Sequence, residues 1–190
     1  MTGKSHLTFG LSDIARVGIF SSLAFAVNAP LLLIPNIETF SVALFLSGVF
    51  LGIIDGLAVA LVAGTIFIFF NPNGPQTIIA VGLAQLFGFI LFGLIGGIFR
   101  RIFLTNQSIK KLIVIAALLG FVLTLFYDFS TNIALALIHL YGPFWVTLTG
   151  GLAFSIIHIV SNTIIFGASA LIVEKIWKRI EYIMPPMALL

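Results

Sequence analysis

Between Ile14 and Val173 the chain is a succession of apolar runs, several of them longer than a water-soluble helix keeps free of charge. A helix that crosses the hydrocarbon of a bilayer needs roughly 20 predominantly apolar residues. Breakers divide the chain into six runs, at about 14–34, 39–54, 57–70, 76–99, 112–139 and 145–173. The breakers are Pro35-Asn36-Ile37-Glu38, a tight turn at Asp55-Gly56, Asn71-Pro72-Asn73-Gly74-Pro75, a basic connection over 100–111 and Tyr141-Gly142-Pro143. Only 8% of the 190 residues are charged and 61% are hydrophobic, too little polarity to clothe a soluble surface. Barrel strands are about 10 residues long and alternate in polarity, and these runs do neither. The expectation is an all-α membrane protein with six transmembrane helices, in a single integral membrane domain over 1–190. The short polar stretch Met1 to Leu11 reads as a lead-in to the first span, because the apolar run after it is too long for a cleavable signal.

The basic residues set the expected orientation. All nine are Lys4, Arg16, Arg100, Arg101, Lys110, Lys111, Lys175, Lys178 and Arg179. With six spans they fall on one side: the N-terminus, the 4–5 connection and the C-terminus. The positive-inside rule then puts both termini in the cytoplasm of a cell-membrane protein. The net charge of +3 is accounted for by topology anchors beside anionic lipid, with no nucleic-acid partner.

Polar side chains within the spans are costly, about 2.5–3.5 kcal/mol for an acid at the bilayer centre. Span 5 carries Tyr127-Asp128, with Asn132 one helical turn beyond Asp128 and Thr131 beside it. At about 1.5 Å per residue, Asn132 lies about 12 Å and Asp128 about 18 Å below the outer end of the span. His158 and Asn162 share a face of span 6 at comparable depth, and Gln85 sits midway along span 4. Spans 4, 5 and 6 can converge on one polar pocket open to the outside. Gln85 and Thr131 serve either as interhelical hydrogen-bonding residues or as part of that pocket. Asp128 is poor glue unless paired; His158 is either its partner or, with it, a proton path.

The outer connections add Asn36, Glu38, Asn71, Asn73 and Gln76, which serve either as turn residues or as a cover over the pocket. Tyr141, Phe144 and Trp145 read as an outer interface belt, and Trp177 as an inner one. Small residues mark helix faces that allow close approach: Ala15, Gly18, Ser22 and Ala26 in span 1, Gly48 and Gly52 in span 2, Gly93 and Gly97 in span 4. Internal packing accounts for spans 2 and 4. The span 1 face is equally suited to an external partner.

No cysteine is present, which removes disulfides, thiolate chemistry and cysteine metal sites. No nucleotide-binding loop, metalloprotease helix or nucleophile elbow occurs. Ser155 and His158 lie three apart on one helix, but nothing supplies an oxyanion site. The expectation is therefore no enzyme, no cofactor and no resident metal, since His158 and Asp128 are too few ligands for a closed site.

The order of these features resembles the substrate-binding S components of energy-coupling factor (ECF) transporters, in particular the vitamin-uptake members. The stretches that carry the likeness are Pro35-Asn36-Ile37-Glu38, Phe70-Asn71-Pro72-Asn73-Gly74-Pro75, Tyr127-Asp128 with Thr131-Asn132, and His158 with Ser161-Asn162 and Phe166. The likeness extends over about residues 12–175. It implies high-affinity capture of a vitamin or similar micronutrient, then docking on a transmembrane T component that bears two cytoplasmic ATPase subunits. The ligand would be held by Asn36, Glu38, Asn71, Gln85, Tyr127, Asp128, Asn132, His158 and Asn162. The family's docking pair of alanines on helix 1 corresponds to the small positions Gly18, Ser22 and Ala26, with Ala15 on the same face. The competing readings are a stand-alone proton-coupled carrier or channel using Asp128 and His158, a small membrane enzyme, and an assembly protein without a pocket.

Overall fold

The computed structural model describes residues 10–71, 74–105 and 107–183, with side chains to residue 179. Lys4 and the lead-in stretch up to residue 9 lie outside the described residues, as do Pro72 and Asn73. The described chain is all-helical: α1 (Leu11–Asn28, continued by a 3-10 turn Ala29–Leu31), α2 (Phe40–Leu51), α3 (Ile53–Phe70), α4 (Ile79–Phe103), α5 (Ile109–Leu137), α6 (Phe144–Gly150) and α7 (Leu152–Ile183). Among the described residues, five helical stretches are long and apolar enough to cross a membrane: Leu11–Leu31, Ile53–Phe70, Ile79–Phe103, Ile109–Leu137 and Phe144–Arg179. The sixth apolar helix, α2, has 12 residues. At about 1.5 Å per residue that is ~18 Å, short of the ~30 Å hydrocarbon thickness.

Two sequence expectations are corrected here. The turn between the second and third runs is at Gly52, with φ +94°, a left-handed conformation that glycine adopts without a Cβ clash. Asp55 and Gly56 lie inside the first turns of α3, so that helix begins at Ile53 and not at Leu57. Gly52 accordingly belongs to no small helix face. The last run is also not continuous: it breaks at Gly151 between α6 and α7.

Close helix contact comes from glycine. A Cβ on Gly96 would fall on the Phe45 carbonyl, and one on Gly48 would meet the backbone of Gly93, Gly96 and Gly97. Gly56 in turn presses on Gly48 and Gly93, so α2, α3 and α4 meet backbone to backbone. In lipid this packing, rather than expulsion of apolar surface from water, drives association. Phenylalanines fill the space above it. Phe40 packs on Phe67 (centroids 4.6 Å apart) and Phe89 (5.2 Å), while Phe166 of α7 bridges Phe45 (5.3 Å) and Phe92 (5.7 Å). The α5–α7 pair packs along its length and joins the other helices chiefly through α4.

Two contacts define one end of the bundle. Arg16, near the start of α1, pairs with Asp55 at the start of α3 at 3.1 Å, and also with Asp13. Arg100, at the end of α4, donates to the Phe50 carbonyl at the end of α2 (2.9 Å). The residues around Lys178 in α7 close on Gln107 and Leu112 at the same end, where α4 gives way to α5. The opposite end carries the 29–39, 74–78 and 138–143 connections. There Thr39 folds back on α1: its N–H donates to Asn28 Oδ1 (2.9 Å) and its hydroxyl to the Val27 carbonyl (2.9 Å).

Candidate functional site

A cavity of about 330 Å³ opens at that opposite end, between the 29–39 connection and helices α3, α4, α5 and α7. Sequence-selected residues on its wall are Asn36, Glu38, Asn71, Gln85, Tyr127, Asp128, Asn132 and His158. Phe67 and Phe154 add aromatic surface, and Asn28, Thr131 and Ser155 add polar atoms. A second polar cavity of about 260 Å³ shares Phe67, Asn71 and Gln85 with it and extends toward Gln76.

The chemistry centres on His158, which is 7% exposed. Its Nδ1 lies 2.8 Å from Asp128 Oδ1, and its Nε2 3.5 Å from Glu38 Oε1. The two carboxylates therefore sit on opposite edges of one imidazole. Helix geometry places this group: Asp128 on α5 faces His158 on α7, and the break in helix at residues 29–39 lets Glu38 come down from above. Asn36 adopts a left-handed φ of +58°, which asparagine tolerates better than most residues, and its carbonyl accepts from Ser161 Oγ of α7 at 2.9 Å. That bond anchors the loop over the site.

Asn162 is fully buried and lies beneath the cavity, not on its wall. Its Nδ2 is 3.0 Å from Glu38 Oε1, 3.0 Å from Thr124 Oγ1 and 3.1 Å from His158 Nε2. It positions Glu38 and His158 from below. The Ser41 N–H donates to Glu38 Oε2 (2.8 Å). Burial pushes the Glu38 carboxyl up, but hydrogen bonding to His158, its nearby charge and the Ser41 hydrogen bonds outweigh burial and hold it below the usual carboxylate range.

Asn132 donates to Ser155 Oγ at 2.9 Å across the α5–α7 seam. This is possible because residue 151 is glycine: a Cβ there would come within 2.5 Å of Asn132 Oδ1. Tyr127 packs against Phe89 (5.3 Å) and presents its ring edgewise to His158 (5.8 Å). Thr131 does not bridge helices as its glue role required. Its hydroxyl donates to the Tyr127 and Asp128 carbonyls of its own helix, at 3.0 and 3.1 Å. The Asp128 Oδ2 and Asn162 Oδ1 atoms are buried and have no hydrogen-bond partner among the described residues.

The sequence reading did not select Asn28, Phe67, Phe154 or Thr124 for the site. Ser155 had one available signal, its i−3 spacing to His158, which puts both on one helix face. For Asn28 no local pattern pointed inward. The small positions of α1 — Ala15, Gly18, Ser22 and Ala26 — are exposed, while the helix buries Val17, Ser21, Ala24 and Asn28 on its other side. Among the described residues no cluster of three or more His, Asp or Glu side chains is placed to hold a metal ion. No family model, no curated protein and no solved structure matches the chain.

Proposed function

We propose that the protein is the substrate-binding membrane subunit of an ECF-type importer for a vitamin or related micronutrient, energised by a separate T component and two ATPase subunits. The observation that carries this reading is the cavity walled by Glu38, Asp128 and His158, at the end of the bundle opposite Arg16 and Arg100. In this reading all six apolar helices cross the membrane. The short α2 crosses inside the bundle, where eight of its 12 residues are buried. The contacts of Arg16 with Asp55 and of Arg100 with Phe50 are those of such an antiparallel arrangement. Positive-inside then sets the basic end and both termini in the cytoplasm, and the cavity faces outward at the cell surface.

The exposed small face of α1 is assigned to the T component. A Cβ on Gly18 would meet nothing within 4 Å, so a larger side chain there is tolerated by the isolated chain. Gly18→Leu with Ser22→Leu is expected to leave folding and ligand retention unchanged but to reduce capture of a co-expressed T component tenfold or more. Affinity pull-down beside a ligand-binding measurement checks this; undiminished capture would remove the docking assignment.

A smaller effect is expected at the seam. Gly151→Ala forces the Asn132 amide to swing away from Ser155, and solute affinity should fall about threefold to tenfold, the loss of one hydrogen bond at ~1 kcal/mol. Calorimetry on the variant measures it.

The 2.8 Å Asp128–His158 contact favours one alternative, a stand-alone proton-coupled carrier. Reconstituted vesicles separate the two. ATP-dependent uptake that requires the T component is the expected result. Uptake by the chain alone, driven by a pH gradient, would establish the alternative.

A further inference from the structure

We infer that the cavity selects a small organic cation rich in N–H donors, an amidinium-like or protonated amino-heterocyclic group, held between the Asp128 carboxylate and the aromatic walls. This deepens the solute-binding reading above and rests on it.

The charge balance of the site is the first ground. Glu38 and Asp128 flank a single imidazole, and among the described residues no lysine or arginine lines the cavity. With His158 protonated the three groups sum to −1, and with His158 neutral to −2. Transferring the proton within the Asp128–His158 pair changes neither sum. A buried net negative charge is costly without a counter-charge, and the described residues supply none within the cavity.

The hydrogen-bond inventory is the second ground and is independent of the charge. Asp128 is 8% exposed and lies on the cavity wall, yet only its Oδ1 is engaged, by His158. Its Oδ2 is buried without a partner. The Asn162 Oδ1 beneath the cavity is in the same state. Both are acceptors, so the site is short of donors rather than of acceptors. A ligand that brings N–H groups suits a wall rich in acceptors; a carboxylate or phosphate would add repulsion.

The walls are the third ground. Phe67 and Phe154 line the same cavity, and ring faces attract cations, by about 0.5–2 kcal/mol according to desolvation. A divalent metal ion is the wrong occupant. Asp128 and Glu38 address opposite edges of His158, so the three groups do not converge on one point.

The test uses three probes of one shape and different charge: benzamidinium, benzamide and benzoate. Each is titrated calorimetrically into the purified full chain in nanodiscs at pH 7 and constant ionic strength. Benzamidinium is expected to bind at least tenfold more tightly than benzamide, and benzoate not at all. Asp128→Asn preserves the side-chain shape and should bring benzamidinium down to the benzamide level. Equal binding of all three, preference for benzoate, no binding of any probe, or an unchanged preference in Asp128→Asn each overturns the inference. A neutral or anionic solute copurifying with a chain that still docks on a T component would sink this inference and leave the importer reading intact. Cation binding without T-component capture would do the reverse.

Discussion

Valine in place of Gly96 is expected to leave no monodisperse folded protein after extraction into detergent. The Cβ alone would occupy the position of the Phe45 carbonyl, and it would stand 2.8 Å from the Phe45 carbonyl carbon. Both obstructions are backbone, so no side chain can swing aside. Overpacking a tight core costs about 1–3 kcal/mol where neighbours can adjust, and more where they cannot. Here α2 would have to move off α4, which would separate Gly48 from Gly93 and undo the contact of Gly56 with both. Gly18→Val is the matched control, since a Cβ at 18 meets nothing within 4 Å. Fluorescence-detected size exclusion separates the outcomes: loss of the monodisperse peak for the 96 variant, retention for the 18 variant. A normal peak for both would show that the α2–α4 contact is not what holds the bundle together.

Alanine at Asp128 is expected to cost about 100-fold or more in solute affinity, ~3 kcal/mol, the scale of removing one member of a buried charged pair. The residue acts in two ways. It fixes the His158 ring through the 2.8 Å contact with Nδ1, and it places a carboxylate on the cavity wall. Alanine removes both, whereas asparagine keeps a polar partner for His158 and removes the charge. An intermediate loss is therefore expected for Asp128→Asn. Because Asp128→Ala also leaves His158 without that partner, thermal unfolding is measured on the same samples. A variant that unfolds near the wild-type temperature yet has lost the solute isolates the binding role. Affinity unchanged in Asp128→Ala would mean that the solute sits elsewhere.

Much of this site is legible in the sequence, for a physical reason. Helical spacing puts residues four apart on one face, so Asp128 with Asn132 and His158 with Asn162 could be paired within their own helices. Burial cost made an acid in an apolar run conspicuous. Spacing says nothing about the rotation of one helix against another. For that reason the sequence left open whether His158 faces Asp128, and it placed Asn162 on the cavity when the residue supports it from below. Asn28 was missed for the same reason: it is one polar residue at the end of an apolar helix, and its role depends on Thr39 folding back onto it. The turn at Gly52 was misplaced because Asp55-Gly56 has the composition of a turn. The helix absorbs both residues, with Asp55 paired to Arg16 and Gly56 pressed against α2. Thr131 illustrates a further limit. A threonine in a helix can satisfy its hydroxyl on its own backbone, so its presence in a span does not imply a bond across helices.

The central claim is that the cavity bounded by Glu38, Asp128 and His158 captures a small organic molecule. Native mass spectrometry of the chain released directly from membranes tests it most directly. The expected spectrum contains a one-to-one adduct of a small organic mass on the wild-type chain and none on Asp128→Ala. A wild-type chain that is folded and consistently bare, or an adduct retained in full by Asp128→Ala, would contradict it.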